Sequence, residues 1–174
     1  ATEFIRSGWN VKAMHRLIVT SATYRQSSTA PPATHESDVE NRLLGRGPRK
    51  RLSPYEIRDA SLRSAGLLVG RMGGPSVKPY MPPGIWRSIS NASYKQDKGD
   101  KLYRRSLYTY WRRTVPPPSM MIFNAAARET CIVRTDQTTT PLQALTLMNN
   151  VAFVEAARML AARMMKQEGS LSPR

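Results

Sequence analysis

Residues 51–70 read RLSPYEIRDASLRSAGLLVG, and this stretch decides the fold class. Ser53 and Glu56 have capping-box spacing: the hydroxyl can accept from the free amide three residues on, and the carboxylate can reach back to the amide of Ser53. Pro54 takes the first helical position, where its missing N–H costs nothing. The pattern predicts a helix from Pro54 to about Val69. Ile57, Leu62, Ala65 and Leu68 form its apolar face, with Arg58, Asp59 and Arg63 elsewhere around the cylinder. Gly70, Gly73, Gly74 and Pro75 end it.

Working outward, the same logic recurs on both sides. Thr140, Pro141 and Gln143 start PLQALTLMN, and VAFVEAARMLAARMMKQEG follows as an amphipathic helix with Phe153, Ala157, Leu160 and Met164 on its stripe. Upstream, TEFIRSG reads as the end of a helix closed by Gly8 in the left-handed conformation. Asn10 caps the next helix, where Val11, Met14, Leu17 and Ile18 recur at helical steps. QSSTAPPATHESD, residues 26–38, has loop composition. Pro75, Pro79, Pro82 and Pro83 make GGPSVKPYMPPGIW an extended strap that needs tertiary contacts to be ordered. YRRSLYTYWRR, from Tyr103 to Arg113, and ETCIVRT, from Glu129 to Thr135, are rich in β-formers and are predicted to pair as a short antiparallel ribbon. The expectation is a mainly α, single irregular helical domain over residues 1–169, with that ribbon, Pro-rich straps and a disordered tail at 170–174.

Composition narrows the function classes. The chain has 174 residues, 40% of them apolar, and 27 Lys plus Arg against 12 Asp plus Glu, for a formal net charge of +15. That suits one folded, basic body, and no stretch approaches the roughly 18 uncharged apolar residues of a membrane span. One cysteine and two histidines argue against a disulfide framework and a His/Cys metal cage. No GxSxG, Walker A, GxGxxG or HExxH sequence is present. Twenty of the 27 cations are arginine, whose fork suits phosphate and carboxylate. They are spread along the whole chain, however, and no helix-turn-helix, finger or RNP pattern accompanies them, so nucleic acid is a third-ranked partner.

The residues that could form a polar pocket are Arg51, Glu56, Asp59, Arg104, Tyr108, Trp111, Arg128 and Glu129. Carboxylates beside guanidinium groups in a cleft are what an active site needs, and aromatics interleaved with arginines can stack sugars or bases. The plainer reading is capping and ion pairing for Glu56 and Asp59, and a half-buried stripe for the aromatics. Met14 and His15 are haem-ligand types on a helix, but a histidine at the edge of an apolar stripe is usually a packed residue. Cys131 lacks a convincing base and reads as a small core thiol.

Taken together, GWNVKAMHRLIVTSATYRQSS, RLSPYEIRDASL, GGPSVKPYMPPGIW, the run from Leu102 to Asn150 and FVEAARMLA resemble the planctomycete secreted-domain family, a domain of unknown function, from about Gly8 to Ala162. Departures are modest: Asn10 stands where the family favours Ser, Asn124 where Asp is usual, and Thr139 where Asn is common. The resemblance implies a C-terminal module of large exported bacterial proteins, preceded by other domains and often by a c-type cytochrome module. It supplies no catalytic residues. It also implies that this chain is part of a larger domain, whose other parts could offer the basic surface an acidic partner. The leading expectation is thus a non-catalytic structural or interaction module, with no cofactor of its own and any haem in a companion domain. An enzyme or carbohydrate-binding pocket is the alternative, and a nucleic-acid surface the second alternative.

Overall fold

The computed structural model describes residues 1–89, 93–133, 135 and 138–168. The expected tail at 170–174 and Arg134 lie outside the described residues. The protein is mainly helical, and the chain divides into two compact units, Ala1–Arg51 and Leu52–Arg174.

The first unit holds α1 (Thr2–Arg6), α2 (Val11–Thr20) and α3 (Pro32–Ser37). Gly8 closes α1 with φ 66°, as the sequence predicts, and Asn10 Oδ1 accepts from Ala13 N at 3.0 Å to start α2. The Ser/Pro-rich segment is not wholly loop, because α3 falls inside it. After α3 the backbone is tied by polar side chains. The Asp38 carboxylate accepts from the amides of Arg42 and Leu43 at 2.8 and 2.7 Å, and these bonds, Leu43's first, hold its carboxyl below the usual range. Arg46 donates to the carbonyls of Asp38 and Val39, each at 2.7 Å. Gly47 packs so closely on this unit that a Cβ there would fall 2.5 Å from the Gln26 carbonyl oxygen. None of the three helices buries a residue. The α2 stripe forms as a helix face but lies open: Val11 is 56% exposed and Leu17 55%.

The second unit contains α4 (Pro54–Ala65), α5 (Ile85–Ile89), α6 (Pro118–Ile122), α7 (Pro141–Asn149), α8 (Val151–Glu168) and two 3-10 turns, Gly99–Tyr103 and Ser106–Tyr108. Both expected capping boxes form, at Ser53/Glu56 and Thr140/Gln143. The α4 helix stops at Ala65, four residues short of the expected end, because Gly66 already takes the left-handed turn at φ 76°. Its buried stripe is Pro54, Arg58, Leu62 and Ala65, so Arg58 points inward rather than outward. Leu62 and Ala65 are joined in the core by Val77, Trp86, Leu102, Val115, Met120, Phe123, Ala125, Phe153 and Ala156. On α8 only the first turns face that core: Phe153 and Ala156 are buried, whereas Ala157, Leu160 and Met164 are exposed.

The antiparallel ribbon is not found among the described residues. Tyr103–Arg113 folds around the two 3-10 turns and pairs instead with the chain that follows α4, through parallel bridges Val69–Arg104 ahead of the Pro-rich strap and Val77–Thr109 within it. Val77 N donates to Tyr108 O at 2.8 Å, and Tyr110 N to Val77 O at 2.7 Å. Glu129–Val133 carries no bridge, and Ile132 and Val133 face solvent, so that run of β-formers has no apolar surface to cover. The strap is ordered by tertiary contacts, as its prolines require. Lys78 and Asp97 exchange bonds at 2.7 and 2.9 Å, and Tyr94 Oη donates to Pro79 O.

One link between the turns and α8 is titratable. Tyr103 Oη donates to Glu155 Oε1 at 2.8 Å, and burial first, then this bond, raises the phenol above its ordinary value of 10.0. Burial raises Tyr94 in the same direction. A phenol held neutral in the fold contributes stability below its unfolded value and loses it as pH rises toward the folded one. Denaturation midpoints are therefore expected to fall steadily above about pH 10. Tyr103→Phe should flatten part of that fall. An unchanged alkaline slope in the variant would remove Tyr103 from the account.

Candidate functional site

A groove with a volume of about 990 Å³ runs beside α4, lined by Leu52, Tyr55, Glu56, Asp59, Arg63, Leu68, Arg105, Leu107 and Arg128 among others. It gathers three of the eight residues the sequence singled out, Glu56, Asp59 and Arg128, and a fourth, Trp111, backs it.

Each groove residue is placed for a local reason. Glu56 sits at the third position of α4, where its carboxylate accepts from Ser53 N at 2.8 Å, and that backbone bond keeps its carboxyl below the usual range. Asp59 lies one turn on. Its Oδ1 accepts from Ser106 N at 2.7 Å, and its carboxylate stands 3.9 Å from the Arg58 guanidinium and 3.8 Å from that of Arg105. Behind it, Arg58 Nη2 donates to Leu102 O at 2.6 Å, and Nη1 to Arg104 O at 2.9 Å and Ser106 Oγ at 3.2 Å. Burial lowers the Arg58 pKa, opposed by the charge of Asp59, yet this arginine ties both 3-10 turns to α4.

Arg128 closes the groove. Its guanidinium carbon lies 4.4 Å from the centre of the Trp111 ring, and Nη2 donates to Tyr55 Oη at 3.3 Å. Trp111 is itself held by its indole N–H, which donates to Ala127 O at 3.3 Å. The Arg128 backbone takes φ 65°, a conformation that costs a non-glycine residue free energy. Asn124, at φ 66°, does not meet Arg128: its Oδ1 accepts from Gln143 Nε2 at 3.4 Å, and its amide pairs with Thr138 Oγ1 at 3.0 Å.

The other named residues lie elsewhere. Arg104 is buried and grips the strap, donating to the carbonyls of Pro75, Arg71 and Gly73, with Tyr108 stacked 3.8 Å away. Tyr108 Oη accepts from Gly73 N at 2.7 Å, so both residues are structural. Glu129 is exposed, and Arg51 belongs to the first unit. Tyr55, Arg63 and Arg105 line the groove and were not anticipated. Tyr55 and Arg63 carry a signal, because they flank Glu56 and Asp59 on the outward side of α4.

The described residues thus define a mainly helical basic module with one arginine-rimmed groove. Among them no helix is long and apolar enough to cross a membrane, and no group of three or more His, Cys, Asp or Glu could hold a metal. The chain belongs to the PSD1 family, described as a protein of unknown function (DUF1553), whose model matches residues 1–173. No curated protein and no solved structure matches it.

Proposed function

We propose that this chain is a non-catalytic interaction module that docks onto other domains of the same exported bacterial polypeptide, a haem-bearing domain or another. The observation that carries this reading is the amount of hydrocarbon left on its surface. Among the described residues Leu142, Leu145 and Met148 step along α7 three residues apart, 56%, 53% and 74% exposed, and the α2 face is similarly open. Apolar surface on this scale marks a site of association. The net charge of +15 supports an acidic partner surface, which it would steer and orient before apolar contact forms. The chain's part in this reading is recognition, and it holds no cofactor.

The enzyme alternative is not adopted, because the two carboxylates in the groove already hold backbone amides, at Ser53 and Ser106, and neither is placed as a free acid or base. A nucleic-acid surface has no specific contact pattern to favour it.

Association of this chain with its neighbouring domains, expressed separately, is expected to weaken as salt rises. The double variant Leu145→Glu, Met148→Glu should weaken it at least about tenfold, since burying each side chain contributes about 1.5–3 kcal/mol. Sedimentation at low ionic strength that shows no complex at all would sink the proposal.

A further inference from the structure

We propose that the groove beside α4 binds an extended acidic peptide segment, with Arg128 receiving one of its carboxylates. The proposal stands apart from the docking reading, which rests on α2 and α7. Three observations carry it.

The first is charge. Of the five ionised groups lining the groove, both carboxylates are engaged, Glu56 by Ser53 N and Asp59 by Ser106 N and two guanidinium groups. Arg63 and Arg128 have no carboxylate partner among the described residues. Two exposed guanidinium groups therefore face a trough whose own acids are spent.

The second is preorganisation. Long cations on a surface normally lose side-chain entropy when they bind. Arg128 is already stacked on Trp111 and bonded to Tyr55, with four of its five N–H donors free of this bond. A fork held this way binds carboxylate bidentately at lower entropic cost, which fits its costly backbone conformation.

The third is shape. The trough is open to solvent, and Leu52 and Leu107 line it at 53% and 69% exposure. It follows α4, whose length is about 18 Å at 1.5 Å per residue, the span of an extended segment of about five residues. Alternating side chains of such a segment would set apolar groups on Leu52, Leu68 and Leu107 and acidic groups toward Arg63 and Arg128.

The test uses the full chain and a dye-labelled six-residue peptide alternating Glu and Leu, with its Gln-for-Glu counterpart, followed by fluorescence anisotropy. The Glu peptide is expected to bind at least about tenfold more tightly than the Gln peptide. Arg128→Gln should weaken it about tenfold, and Arg128→Lys nearly as much, because an ammonium cannot reproduce the fork and stack. Leu107→Gln, at an exposed site with no folding cost, should weaken it several-fold. Lys95→Gln, an exposed cation of the second unit that does not line the groove, should leave affinity unchanged. No binding of the Glu peptide overturns the site. Full affinity in Arg128→Lys overturns the fork, and equal losses in Lys95→Gln and Arg128→Gln overturn the site by reducing the effect to net charge.

Discussion

Arg58→Leu is expected to destabilise the second unit by about 3–5 kcal/mol, the scale seen when one partner of a buried charged network is removed. Arg58 is only 8% exposed, and its guanidinium donates to Leu102 O, Arg104 O and Ser106 Oγ. Leucine fills the space but donates nothing. Two carbonyls are left behind residues themselves 8% and 6% exposed, and each unsatisfied buried group costs about 1–3 kcal/mol. At roughly 2–4 °C per kcal/mol for a chain of this size, the melting temperature should drop by about 6–20 °C. Arg58→Lys should fall between, since one ammonium cannot span all three acceptors. A shift of under about 1 kcal/mol in the leucine variant would show that the turns hold themselves in place.

Phe153→Ala should be comparably severe, at about 3–5 kcal/mol. Phe153 is 8% exposed and meets Phe123 edge-on, with ring centroids 6.1 Å apart and planes at 79°. Among the described residues of α8 whose burial is given, it and Ala156 are the buried ones, and Phe153 is the larger apolar anchor of the helix on the core. Phe153→Leu keeps the apolar contact and should cost clearly less, about 1.5 kcal/mol. Urea titration measures both, and an unchanged slope would assign the loss to packing rather than to a new unfolded state. Equal losses in the two variants would mean that ring geometry, not volume, holds the helix.

The parts of the fold legible in the sequence are those set within a few residues. The boxes at Ser53/Glu56 and Thr140/Gln143, the Asn10 cap and the Gly8 turn depend on neighbours three or four positions away, and they form as read. Arg58 is where charge and position give opposite readings: it falls on the same face as Pro54 and Leu62, four residues either way, and long-range carbonyls make its burial tolerable. The composition of the 103–113 run predicts a strand paired with Glu129–Thr135, yet it pairs with the chain after α4, at Val69 and Val77, a choice no local pattern encodes. The site divides the same way. Glu56 and Asp59 share a helix face, which their spacing alone shows, whereas Arg105 arrives through the Asp59–Ser106 bond, which joins distant parts of the chain.

The bare leucines and methionine of α7 have a colloidal consequence. At neutral pH a charge of +15 pushes copies of this chain apart and keeps those faces from meeting. Molar salt shrinks the range of that repulsion to about 3 Å, and titration toward the isoelectric point near 10.8 abolishes it. Either treatment would leave hydrocarbon free to cohere, so the arginine surplus also acts as the solubilising coat of a sticky surface.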